Sequence, residues 1–317
     1  MNITGVHSIV YGCENLEAAG RFLTDLGLES LQDDSAGSTF GLEDGTSFGI
    51  RPIDDNTLPA PVVGGDTARE IIWRVDNAET LQAIGAELSS DRDVTQSADG
   101  MLHSSDDLGH GLGFTVAATR TIQLEAPVTN TLGNRKRHNA RAEGAEPKIP
   151  RLLRTAHVGL WAPGEVDDNK AFYVERLGFR ETEYVKGVGV FVRAQGSTEH
   201  HDMFLSRRGD RAGFQHVACE VRDFDEVMFL GNHMEDRGWE THFGPGRHIF
   251  GSNIFWYLWN PAGGLLEITA DLDCIDENWE MRYHETLPKG AGTWLARATD
   301  KKRMPFRTRE DEFAIIE

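Results

Sequence analysis

Three residues with clear chemical potential, His157, His216 and Glu267, each lie inside a short apolar segment. The segments Thr155-Ala156-His157-Val158-Gly159-Leu160, Phe214-Gln215-His216-Val217-Ala218-Cys219 and Leu265-Leu266-Glu267-Ile268-Thr269 read as strands. Burying an imidazole or carboxylate without a partner costs several kcal/mol. Three such groups on three strands satisfy one another by sharing one cation. Two histidines and one carboxylate on one face of a metal leave the opposite face open, the ligand set of non-heme Fe(II) centres.

The elements that must position these groups repeat within the chain. Gly5-Val6-His7-Ser8-Ile9-Val10 leads into Asn15 to Leu23 and then Leu26-Gly27-Leu28, while Ala156 to Leu160 leads into Asn169 to Val174 and then Leu177-Gly178-Phe179. Both read as strand, loop, amphipathic helix and Leu-Gly turn. Further copies begin near Arg69 and near Gln215, so the simplest description is four strand-helix-strand units in two domains. Aligning the halves sets His7 against His157, Glu70 against His216 and Phe114 against Glu267. Phe114 cannot bind a metal, so function is expected after residue 150. The stretch 125–150, with Pro127, Gly133, the basic run Asn134 to His138, Pro147 and Pro150, reads as a linker whose basic cluster is solvated. The polar tail 275–317, carrying Trp279, Tyr283, Trp294 and Phe306, is expected to pack as an arm or lid.

A hydrophobic content of 39% against 26% charged residues fits a globular protein, and 317 residues suffice for two cored domains. A formal charge of −19 opposes nucleic-acid binding and docking on anionic membranes. No run approaches the roughly 20 apolar residues of a membrane span, and the N-terminus lacks a basic-then-apolar export signal. Cys13, Cys219 and Cys274 have no metal-binding spacing and fit reduced thiols in a cytoplasm, with Cys219 in the core.

The segment from Gly246-Arg247-His248 through Phe255-Trp256-Tyr257 and Asn260-Pro261-Ala262-Gly263-Gly264 to Glu267, taken with His157, His216 and His200-His201-Asp202, resembles the signature of type I extradiol ring-cleavage dioxygenases of the vicinal oxygen chelate superfamily. The resemblance implies an α+β fold of two domains, each of two βαβββ modules. Residues 1–124 would be a degenerate copy without a metal site, 151–274 the catalytic domain. It implies Fe(II), with Mn(II) as the alternative, on His157, His216 and Glu267. His201 would be the acid/base group, with Tyr257 and His248 contacting oxygens of the substrate. The partners would be a catechol-type ring and O2, in a cytoplasmic homo-oligomer of four or more subunits. His200, next to His201 on a strand, is expected to point to the opposite face in a structural role. His233, His242 and His284 are expected at the surface or at helix ends.

Departures from the family pattern bear on substrate. Trp256, where an aliphatic residue or Phe is usual, is expected to line or support the pocket. Phe243 and Gly159 stand where relatives acting on carboxylated catechols carry Arg and Asn, which favours a neutral or differently placed ring substituent. Phe191, Phe250 and Trp259 add aromatic surface nearby in sequence. Two rival readings share the scaffold: a non-oxygenase metalloenzyme of isomerase or lyase type, and a non-catalytic small-molecule-binding protein.

Overall fold

The computed structural model describes residues 1–145, 148–288 and 292–296. The repeat becomes four βαβββ modules. The first runs β1 (Ile3–Cys13), α1 (Leu16–Asp25), β2 (Glu29–Asp34), β3 (Gly37–Gly41) and β4 (Ser47–Pro52). The second runs β5 (Thr67–Val75), α2 (Ala78–Leu88), β6 (Thr95–Gln96), β7 (Leu102–Ser105) and β8 (Gly111–Val116). The third comprises β9 (Arg154–Ala162), α3 (Val166–Ala171), β10 (Arg180–Val185), β11 (Gly189–Arg193) and β12 (Met203–Arg207). The fourth comprises β13 (Gly213–Glu220), α4 (Phe224–Asp236), β14 (Thr241–His248), β15 (Ile254–Trp259) and β16 (Leu265–Ala270). Two tail strands follow, β17 (Arg282–His284) and β18 (Gly292–Leu295).

Local sequence explains the helix ends. The side chains of Asn15, Asn77 and Asp223 accept from backbone N–H groups in the first turns of α1, α2 and α4, donors that a helix start otherwise leaves unpaired. Gly27 and Gly178 take the positive φ that the Leu-Gly turns require.

The modules pair into two sheets, ordered β2-β3-β4-β1-β5-β8-β7-β6 and β17-β10-β11-β12-β9-β13-β16-β15-β14-β18. Within each module the first strand runs parallel to the last, and the modules of a pair join through antiparallel β1·β5 or β9·β13. Alternation along the strands sends Val158, Leu160, Val217, Cys219, Leu266 and Ile268 into the hydrophobic core. It sends His157, His216 and Glu267 to the other face.

Register corrects the internal alignment of the halves. In the C-terminal sheet Gly159 opposes His216, His157 opposes Ala218, and Ala218 opposes Glu267. In the N-terminal sheet Val10 opposes Glu70, Ser8 opposes Ile72, and Ile72 opposes Gly113. Glu70 therefore does match His216, but the counterparts of His157 and Glu267 are Ser8 and Gly113 rather than His7 and Phe114. A slip of one residue moves a side chain to the other face; Phe114 is in the core. Glu70 is held by His103, whose Nδ1 lies 2.7 Å from Glu70 Oε1.

The same alternation decides between the two readings of Trp256. It opposes Ile268 on the core side, packs against Gly231 of α4, and donates from Nε1 to Thr241 Oγ1 at 2.9 Å. It supports the sheet from behind and does not line the pocket. The basic run stays at the surface, with the Arg137 guanidinium bonded to the Val128 carbonyl. Of the tail, Phe306 lies outside the described residues.

Candidate metal centre

Ala218 is the hub of the site. It lies between His157 on β9 and Glu267 on β16, and its methyl group leaves the space between them open. His216, two residues earlier on β13, faces the same way. The ligating atoms of His157, His216 and Glu267 lie within 4.8 Å of one another. Glu267 Oε2 is 3.3 Å from His157 Nε2 and 3.5 Å from His216 Nε2. Glu267 Oε2 and His216 Nε2 are enclosed, yet neither has a hydrogen-bond partner among the described residues. Buried orphans of this kind are costly, and one carboxylate oxygen with two imidazole nitrogens fits a divalent cation such as Fe(II) or Mn(II). Burial pushes the imidazoles of His157 and His216 down to about 3, so both keep a free lone pair at neutral pH.

The next layer orients these groups. His216 Nδ1 lies 2.8 Å from Gln215 Oε1; donation to that oxygen leaves Nε2 bare and aimed at Glu267. Gly159 faces this pair, and a Cβ there would run into the His216 ring and the Gln215 amide. The missing Asn at this position is thus a packing requirement. Asn253 Nδ2 donates to Glu267 Oε1 and to Thr269 Oγ1, both at 2.8 Å, which turns the other carboxylate oxygen toward the histidines. Sequence reasoning missed Asn253; its place between His248 and Tyr257 was the only signal.

His201, His248 and Tyr257 arrive from three different places. His201 precedes β12, is buried, and its ring centroid lies 4.1 Å from that of His157. Burial holds the His201 imidazole well below its ordinary range. Tyr257 on β15 directly opposes Glu267, and burial, then the neighbouring Glu267 carboxylate, push its hydroxyl up. His248 ends β14, with Nε2 3.1 Å from Tyr257 Oη and 3.7 Å from Glu267 Oε1. Aromatic rings flank the group: Phe191 meets His201 edge-on at 5.0 Å, Phe250 lies 5.2 Å from Phe191, and Phe255 stacks on His248 at 3.9 Å.

His200 departs from expectation. It and His201 lie before the regular strand, where alternation does not apply, and their Nδ1 atoms are 3.0 Å apart. His284 is likewise engaged, 2.6 Å from buried Glu183. His242 packs against Trp259 at 4.5 Å, and His233 sits in the last turn of α4.

Four repeated βαβββ modules paired into two mixed sheets define the glyoxalase-like fold of the vicinal oxygen chelate proteins. Residues 154–268 match the Glyoxalase/Bleomycin resistance protein/Dioxygenase superfamily. The chain is 34% identical over 147 residues to metapyrocatechase 2 of Cupriavidus necator, a match covering 43% of this chain and 45% of that protein. It thus spans less than half the length of that curated relative. Among solved structures, the Mn(II)-bound glyoxalase from Novosphingobium aromaticivorans superposes with a TM-score of 0.70 at 21% identity, covering 98% of this chain and 99% of that one. The 2,3-dioxygenase LapB from Pseudomonas sp. KL28 superposes with a TM-score of 0.68 at 17% identity, covering 90% and 98%.

Proposed function

We propose that this chain is an extradiol dioxygenase that cleaves a catechol-type ring with O2, inserting both oxygen atoms, at Fe(II) held by His157, His216 and Glu267. One observation carries the reading: three further proton-carrying side chains, His201, His248 and Tyr257, converge from separate elements on that one triad. The likeness to metapyrocatechase 2 supports it. Bound there, Fe(II) supplies open positions for adjacent catechol oxygens and O2 and lowers the pKa of a bound hydroxyl; Mn(II) suits the same donors.

His201, neutral at physiological pH, takes the proton of a ring hydroxyl and returns it as the ring opens. Tyr257 keeps its phenolic proton and donates to a substrate oxygen, while His248 holds the deprotonated oxygen. The Phe191 and Phe250 rings exclude water and offer apolar surface to the ring. Phe243, 6.0 Å from Tyr257, places no positive charge beside the site, which favours a neutral ring substituent. The enzyme would act in the cytoplasm as a homo-oligomer of four or more subunits, in keeping with the general preference for closed symmetry.

The nearly complete superposition on a Mn(II)-bound glyoxalase favours a second reading, a metal-dependent isomerase or lyase that consumes no oxygen. The deciding experiment is O2 uptake by protein loaded anaerobically with Fe(II), across substituted catechols, with absorbance followed for a yellow ring-opened product. Stoichiometric uptake establishes the dioxygenase. Metal binding without uptake on any catechol, together with turnover of an oxygen-independent substrate, establishes the rival.

A further inference from the structure

Behind His201 runs a chain of buried polar groups that leads away from the metal. His200, fully enclosed, places Nδ1 3.0 Å from His201 Nδ1. Its Nε2 has no hydrogen-bond partner among the described residues and lies 3.6 Å from Glu183 Oε1. Glu183, on β10 and 3% exposed, places Oε2 2.6 Å from His284 Nε2 on β17, while Arg282 lies 3.6 Å from Oε1. Trp279 of the arm closes the path, its ring edge-on to His200 at 5.5 Å and its Nε1 bonded to the Thr182 carbonyl. We propose that Glu183, through His200, is a positioning residue that fixes the tautomer of His201.

Donors and acceptors set the order of the chain. A carboxylate only accepts. Burial works to raise the Glu183 carboxyl, but the histidines beside it hold it below the usual range, and with His284 at 2.6 Å and the Arg282 guanidinium at 3.6 Å it is ionised. A bare His200 Nε2 facing that charge would be repelled, so Nε2 carries the proton. Only one of the two Nδ1 atoms can carry the hydrogen between them; with it on His201, His200 Nδ1 accepts and His201 Nε2 is bare. A bare nitrogen on His201 is what a general base requires, and the arrangement parallels the way a buried carboxylate fixes a catalytic imidazole elsewhere. The inference rests on the acid/base role proposed for His201.

The test uses full-length, 15N-histidine-labelled, metal-free protein and long-range 1H–15N spectra, which separate the two imidazole tautomers. His201 should show its proton on Nδ1 and His200 on Nε2; a proton on His201 Nε2 in the unaltered protein overturns the proposal. This arm needs no variant, so it decides even when Glu183→Leu does not fold. In folded Glu183→Leu, the fixed tautomer should be lost, and kcat of the Fe(II) protein should fall about 10- to 100-fold, the usual cost of removing an outer-shell partner. KM and bound metal should stay within about twofold, and Glu183→Asp should restore part of the rate. Unchanged kcat in Glu183→Leu overturns the role. A protein that shows the expected tautomers but never consumes O2 refutes the dioxygenase reading and leaves the hydrogen-bond order standing.

Discussion

At the residue scale, proton transfer and metal binding make separable demands. His201 adjoins His157 but is outside the ligand triad. His201→Phe should therefore keep bound metal, measured by elemental analysis, and lower kcat for ring cleavage by about 10²- to 10⁴-fold, the range for general acid–base groups. Loss of metal instead would place His201 among the ligands. Asn253 touches no reacting group, yet it holds the Glu267 oxygen that faces away from His157 and His216. Asn253→Ala should weaken metal affinity about 10- to 100-fold by isothermal titration. An unchanged affinity would mean that the sheet alone orients the carboxylate.

At the element scale, the site depends on flat packing behind β15 and β16. Gly231 lies in mid-helix of α4, where glycine costs about 1 kcal/mol relative to alanine. A Cβ there would meet the Trp256 indole, which is itself tied to Thr241. Overpacking of a rigid group costs about 1–3 kcal/mol, so the clash outweighs the gain in helix propensity. Gly231→Ala should lower stability in urea unfolding while leaving metal stoichiometry intact. A stabilised variant would show that the indole moves freely.

At the scale of the molecule, the two halves are bound by polar contacts as well as by a shared core. Tyr173 donates to Asp106 at 2.7 Å, and Trp239 donates to Asp25 at 2.9 Å. Buried ionisable groups also tie stability to pH. The unfolded chain protonates its histidines near pH 6.5, whereas folded His157 and His216 resist protonation until about 3. Acidification from 6.5 therefore favours the unfolded state. Asp202 acts in the opposite direction, because burial pushes its carboxyl up to about 7 and the folded chain keeps a proton that the unfolded chain releases above about 4. With His7, His201 and His242 also lowered and Glu220 also raised, five imidazoles oppose two carboxyls among the described residues. The urea midpoint of the metal-free protein should fall between pH 6.5 and 5, and bound metal should move that fall to lower pH because it competes with protons. A flat midpoint over that interval would mean that these histidines are already solvated in the folded protein.

Much was legible in one dimension. The Leu-Gly turns and apolar runs revealed the modules, and polar residues inside apolar strands marked His157, His216 and Glu267, because burial makes an unpaired charge conspicuous by type alone. The strand-helix-strand repeat followed from periodicity, and its α+β form from the family resemblance. Side-chain facing did not. The counterpart of Glu267 was off by one residue, since alternation has a period of two and only hydrogen-bonded register decides which of two neighbours faces the site. Whether Trp256 lined or supported the pocket stayed open for the same reason. His200, Asn253 and His284 came into view only when loops and the tail folded back onto β10 and β16, because their partners lie at separations that no local pattern encodes. Sequence by itself determined which groups must be paired; the tertiary structure decided with whom, because burial is a property of residue type and partnership a property of geometry.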